Sequence, residues 1–227
     1  MQYRSAWTAA AITAVTVNAQ VAGASEPPSP EPRAESACAD PSERLHDGLF
    51  VRSEPGIAYL WAQVSDSGPS PRRSKVRGIG QSSSLLVGGT PARGLVLGGS
   101  LWSARIDPKF VEDEMTVDPD DDSVKVTVLH VGPFLDFYPD ATRGLHASVG
   151  LSLAVEIESD TKGDPREPAA LGASLSAGAG YEWFVAGQVS LGVIGRVALG
   201  TLWRAARDGS ERAFFVIPGL ALSATYH

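Results

Sequence analysis

From residue 145 onward the chain alternates with a period of two. In Leu145–Ile157 the odd positions are Leu145, Ala147, Val149, Leu151, Leu153, Val155 and Ile157. The even ones are His146, Ser148, Gly150, Ser152, Ala154 and Glu156. Residues 169–185 repeat the pattern, with Leu171, Leu175, Tyr181, Trp183 and Val185 on one face and Gly172, Ser174, Ser176, Gly178, Gly180 and Glu182 on the other. In residues 189–203 the odd face is apolar; in residues 214–226 the even face is, from Phe214 through Leu220 and Leu222 to Tyr226. A 3.6-residue period would have broken such runs within two turns, so these segments predict strands. Upstream, residues 49–64 set Leu49, Val51, Ile57, Tyr59 and Trp61 against Arg52, Glu54, Gly56 and Ala58. Residues 76–87 and 95–106 read as Gly/Ser-rich strands. Residues 124–138 place Val124, Val126 and Val128 outward, then change parity to Val131, Leu135 and Phe137, which predicts a bulge near Leu129 and His130. The total is eight strands.

The faces decide what surrounds them. The less apolar face is mainly Gly, Ser and Ala, a poor surface for water but one suited to the cramped lumen of a small barrel. The apolar face then points into lipid, where a closed barrel satisfies every backbone group. Strands of this length exceed the ~9–11 residues needed to cross a bilayer and project beyond it. Tyr181, Trp183, Trp203, Phe214 and Tyr226, near strand ends, suit interfacial girdles. Connections at 65–75, 107–123 and 159–168 are long and charged, whereas those at 88–94, 139–144 and 186–188 are short, which predicts long loops outside and both termini in the periplasm. A turn at Asp208-Gly209 would set Trp203 opposite Phe214. The fold predicted is an all-β, antiparallel, eight-stranded transmembrane up-and-down β-barrel over residues 48–227.

Composition narrows the rest. The chain has 227 residues, 19 Lys+Arg against 26 Asp+Glu, a formal charge of −7 and one cysteine. That charge argues against nucleic acid as a partner, and a single cysteine excludes a disulfide framework or thiolate cluster. Residues 1–24 carry Arg4, an Ala/Thr/Val-rich run and small-residue sites ending at Ala19 or Ala24, the pattern of a secretory signal. Residues 25–47 form a Pro-rich periplasmic linker, with Cys38 an incidental thiol.

The signal, the alternating strands and the ending Gly219-Leu-Ala-Leu-Ser-Ala-Thr-Tyr-His227 resemble the small eight-stranded outer-membrane β-barrel proteins of Gram-negative bacteria. The resemblance implies an outer-membrane location, lipid and lipopolysaccharide as surroundings, and the barrel-assembly machinery as a partner. Members usually end in an aromatic residue; here Tyr226 keeps the apolar parity and His227 follows it.

Candidate chemistry falls in four places. The inward-facing charged set is Arg52, Glu54, Asp136, His146, Glu182 and Arg196, with Glu156, Glu158 and Arg204 further along. A turn at 139–144 sets Asp136 opposite His146, with Arg52 and Glu182 at similar height. Opposite charges in so narrow a lumen pair, because unpaired ones are costly to desolvate. His146-Ala147-Ser148 resembles the His-x-Ser of outer-membrane lipid A deacylases, but both side chains face the lumen rather than the lipid, and Glu158 lies roughly 33 Å along the strand, too far to orient His146. Asp118, Asp120 and Asp122 offer a weak cation site that lacks the glycine and glutamate of an EF-hand loop. Arg72, Arg73, Lys75 and Arg77 form a basic counterpart that would meet the acidic loop or lipopolysaccharide phosphates. The expected protein is a monomeric structural or surface-interaction barrel with a closed, charged lumen, not an enzyme, and with no cofactor. A narrow gated pore, a lipid A-modifying hydrolase and a soluble lipocalin-like ligand-binding barrel are the alternatives.

Overall fold

The structure, a computed structural model, describes residues 48–227 except 68–72, 113–114, 118–124, 161–167 and 207–208, and leaves the side chains of 66, 109–112, 115–117 and 206 undescribed. The predicted signal, linker and Cys38, together with Arg72, Asp118, Asp120 and Asp122, lie outside the described residues.

Eight long strands make the barrel: β1 (Leu49–Asp66), β2 (Arg73–Ala92), β3 (Leu95–Glu112), β5 (Lys125–Phe137), β6 (Leu145–Ser159), β7 (Ala170–Ala186), β8 (Val189–Ala206) and β9 (Gly209–Tyr226). The three-residue β4 (Met115–Val117) pairs with the far end of β3. The eight long strands pair antiparallel in sequence order, β3 with β5 past β4, and β1 pairs with β9, so the sheet closes on itself. Leu49 and Tyr226 lie at one end, the terminal end, where the connections are short: Arg93-Gly94, residues 138–144 and Gly187-Gln188. Gly94 (φ 75°) and Gly187 (φ 47°) take the left-handed backbone that these turns need. The two longest connections, between β3 and β5 and between β6 and β7, sit at the opposite, loop end.

Burial follows the alternation strand by strand. Facing outward are Leu153 (71% exposed), Ile79 (67%) and Leu222 (64%), with Leu151, Leu171, Leu220 and more than twenty other large apolar side chains. Facing inward and fully buried are Arg52, Asp136, His146 and Glu182. The molecule is therefore apolar outside and charged inside, the reverse of a lipocalin-like barrel, whose apolar residues line a pocket. A belt of this size in water would forgo roughly 1.5–3 kcal/mol for each large side chain left unburied. Among the described residues no helix is long and apolar enough to cross a membrane, and the closed sheet is the remaining way to leave no backbone group unpaired in hydrocarbon.

Four expectations are corrected. β5 carries no bulge: its register with β6 is unbroken from Lys125–Ser159 to Phe137–Ala147, and Val126 and Val128 point inward. The parity change came from assuming that apolar means lipid-facing, whereas the loop-end half of the lumen is itself apolar. Asp136 pairs with Ser148 rather than His146, because the turn takes in Tyr138 and the register moves by two. Trp203 pairs with Arg212, and Phe214 with Thr201, because Gly209 is a strand residue bonded to Ala206. That shift is also even, so both rings remain outside. Last, β2 begins at Arg73 and β3 runs on to Glu112, so Arg73, Lys75 and Arg77 belong to the barrel wall and not to a loop.

Candidate functional site

The interior is layered. Nearest the terminal end, Arg52 on β1 reaches across the lumen to four elements. Its Nη1 lies 2.6 Å from Asp136 Oδ2 on β5, its Nε 3.0 Å from Glu182 Oε1 on β7, and Nε also donates to Thr225 Oγ1 on β9 at 3.1 Å. Its Nη2 donates to the Tyr138 hydroxyl at the start of the β5–β6 turn. Glu182 is equally saturated: Thr225 donates to Oε1 at 2.5 Å, Tyr138 and Ser190 donate to Oε2 at 3.1 Å each, and His227 Nε2 approaches Oε2 at 3.5 Å. Asp136 Oδ1 accepts from His146 Nδ1 at 2.9 Å. Glu54 takes Arg196 at 2.7 Å and the Ser84 hydroxyl. Rings close the layer: Tyr138 stacks on His146 at 5.1 Å, and Phe50 lies 4.8 Å from the Arg52 guanidinium carbon.

Small inner-face residues make this layer possible. A Cβ at Gly180 would stand 2.5 Å from His146 Nε2, so glycine there leaves the imidazole its place. The formal count in the layer is two arginines (Arg52, Arg196) against three carboxylates (Glu54, Asp136, Glu182). Each carboxylate meets at least one guanidinium and at least one further donor, the condition under which a buried ion network holds together.

Above this layer the lumen carries hydroxyls and a cavity of about 20 Å³ bordered by Ser148, Ser152, Ser176, Trp102, His130 and Arg196, enough for about one water molecule. His130 Nδ1 bonds Ser174 Oγ at 2.7 Å and its ring lies 4.4 Å from that of Trp102. Higher still, Leu60, Ala104, Ile106, Val126, Val128, Leu202, Phe215 and Ile217 form an apolar cluster across the interior. At the loop-end rim Arg204 binds Glu158 at 2.7 Å and Glu156 at 2.9 Å.

All six residues of the expected lumen network thus meet in one layer, apart from a diagonal rather than direct pairing of Asp136 with His146. Sequence reasoning missed Tyr138, Ser190, Thr225 and His227, although inward parity marks each of them: Tyr138 follows Asp136 by two, and His227 follows Thr225 by two. In the His146–Ser148 pair, the imidazole is turned to Asp136, and among the described residues Ser148 makes no hydrogen bond to His146. Both side chains are buried in the lumen. Arg73, Lys75 and Arg77 are exposed on the outer wall. Among the described residues no group of three His, Cys, Asp or Glu is placed to hold a metal ion.

A closed antiparallel sheet with a lipid-suited exterior and an ion-paired interior defines a small transmembrane β-barrel. No protein-family model matches the chain, and no curated protein matches it. Among solved structures it is similar to Neisserial surface protein A, NspA (13% identity over 79% of this chain and 96% of that one, TM-score 0.43). It is also similar to outer membrane protein OprG from Pseudomonas aeruginosa (10%, 81% and 99%, TM-score 0.47) and to outer membrane protein AlkL, solved in lipid bilayers (13%, 87% and 95%, TM-score 0.47). Identities and TM-scores of this size transfer no function, and the fold assignment rests on the barrel's own strands.

Proposed function

We propose that the protein is an integral outer-membrane β-barrel with a non-conducting, ion-paired lumen, acting as a structural element or through the loops of its loop end, and not as an enzyme. The observation that carries this is the fully buried Arg52, tied to Asp136 and Glu182, beneath an apolar cluster that includes Trp102, Leu202 and Phe215. Eight strands leave an interior that side chains fill, and these side chains supply both a charge lock and an apolar plug. The short connections at the terminal end support a periplasmic position for both termini.

The test combines two measurements on protein from the outer-membrane fraction. Unboiled protein is expected to migrate differently from boiled protein on SDS gels, and purified protein in planar bilayers is expected to give no discrete conductance steps. Steps in the wild type that Arg52→Ala or Glu182→Ala alters would overturn the closed lumen and make the layer a gate. Release of lipid acyl chains by the wild type, lost in Ser148→Ala, would overturn the non-enzymatic reading. A soluble periplasmic protein with no heat shift would sink the membrane assignment.

A further inference from the structure

The outer wall is not uniform around the barrel. On β9, β1, β2 and β3 its loop-end portion carries Arg212, Arg73, Lys75, Arg77 and Arg105, all exposed. They are contiguous in the register. Arg212 and Arg73 both pair with Ser65, so one row runs across β9, β1 and β2. Lys75 and Arg77 follow along β2 at ~7 Å steps, the i, i+2 spacing of one strand face, and Arg105 pairs with Gln81 four residues on. Among the described residues, none of Arg73, Lys75, Arg77 or Arg105 is paired with a carboxylate, and the one exposed acid on this stretch of wall is Asp107. The corresponding wall of β6, β7 and β8 shows Ile157, Leu171, Trp203 and Ala205 instead, with no charge.

The rings level with the arc give its height. Trp61 pairs with Arg77 and packs edge-on against Phe214 at 6.2 Å, while Arg212 lies over the Trp203 ring at 5.7 Å. Tryptophan and other aromatics on a lipid-facing wall mark the headgroup level, and strands of 18–20 residues extend well past the ~9–11 that hydrocarbon requires. The arc therefore stands where lipid phosphates are, and cationic side chains ~7 Å apart along β2 suit phosphate oxygens.

We infer that the outer wall of β9–β1–β2–β3 binds the phosphate groups of outer-leaflet lipid, seating one phosphorylated glycolipid against this side of the barrel. The inference rests on the reading above that the loop end faces the outer leaflet. It moves the expected basic contact from a loop to the wall and extends it to Arg105 and Arg212.

The test uses the wild type and an Arg73→Gln/Lys75→Gln/Arg77→Gln/Arg105→Gln variant, folded in octyl glucoside and titrated with bisphosphorylated lipid A or its dephosphorylated form. Bound lipid is counted by native mass spectrometry, and the gel heat shift reports the fold. The wild type is expected to hold the phosphorylated lipid at least about tenfold more tightly than the dephosphorylated one. The variant should fall to the lower level with its heat shift intact, and Arg93→Gln/Arg143→Gln, at the terminal end, should bind like the wild type. Equal binding by the variant, or of the dephosphorylated lipid, would overturn the inference. So would displacement by millimolar inorganic phosphate, which would assign the arc to a free anion. Those results leave the barrel reading standing; a wild type with no heat shift would overturn both.

Discussion

Arg52 shows what one residue does in this interior. Its guanidinium meets three carboxylates, one phenol and one hydroxyl on four neighbouring elements and its own strand. Arg52→Ala leaves Asp136 and Glu182 as buried charges without their main partner, and the expected loss is about 3–5 kcal/mol, read as a lower urea midpoint for the barrel in lipid vesicles. The double change Arg52→Met/Glu182→Gln removes both signs and is expected to recover part of that loss; a double variant no more stable than the single one would deny the pairing its role. The charged members of this layer were legible because a charge on the Gly/Ser/Ala face of a strand has nowhere to go but the lumen. Tyr138 and His227 were not singled out, since aromatic residues at strand ends also suit a girdle. Only their parity, inward rather than outward, separates them from Tyr226.

At the scale of strands and turns, the alternation located all eight barrel strands, because the period holds wherever one face meets lipid. It misled in β5, where both faces are apolar: Val126 and Val128 join the interior cluster while Val131 meets lipid. Registers were less legible than strands, since a shift of two residues changes neither face and hydrophobicity cannot see it. Turn chemistry is what fixes them. Gly94→Ala is expected to cost about 1–2 kcal/mol, from the left-handed backbone and from a Cβ only 2.5 Å from the Tyr138 carbonyl oxygen, measured as a lower temperature for the gel heat shift. In the β5–β6 turn, the Thr142 hydroxyl (2.6 Å) and amide (3.0 Å) donate to Asp140, which holds its carboxyl below the usual range. A depressed folded-state value means the turn's contribution is present above the ordinary carboxylate range and is lost as pH falls through the depressed one. The heat-shift temperature of Asp140→Asn should therefore differ from that of the wild type at neutral pH and converge with it in strong acid.

For the whole molecule, the inversion of inside and outside is the property that all other readings depend on. Leu153, the most exposed of the large apolar side chains among the described residues, tests it directly. Leu153→Arg is expected to destabilise the barrel in phosphatidylcholine vesicles by about 2–4 kcal/mol, the cost of a charge in mid-bilayer. On a water-facing wall the same change would be nearly neutral, so an unchanged unfolding midpoint would reverse the assignment. No composition statistic carried this information. A Gly, Ser and Ala face opposite a Leu and Val face is unremarkable in any one strand and becomes decisive only when repeated around a closed sheet.

The span of the Arg52 layer in sequence has a kinetic consequence. Its partners lie 84 residues away at Asp136, on the mid-chain β5, and 173 away at Thr225, on the last strand. An unzipped barrel, with β1 parted from β9, takes the Arg52 guanidinium away from Thr225 on β9 and from the Glu182 carboxylate two strands beyond it on β7. Closure and neutralisation are then a single event, and the seam acts as a latch that opens only when the whole cylinder comes apart.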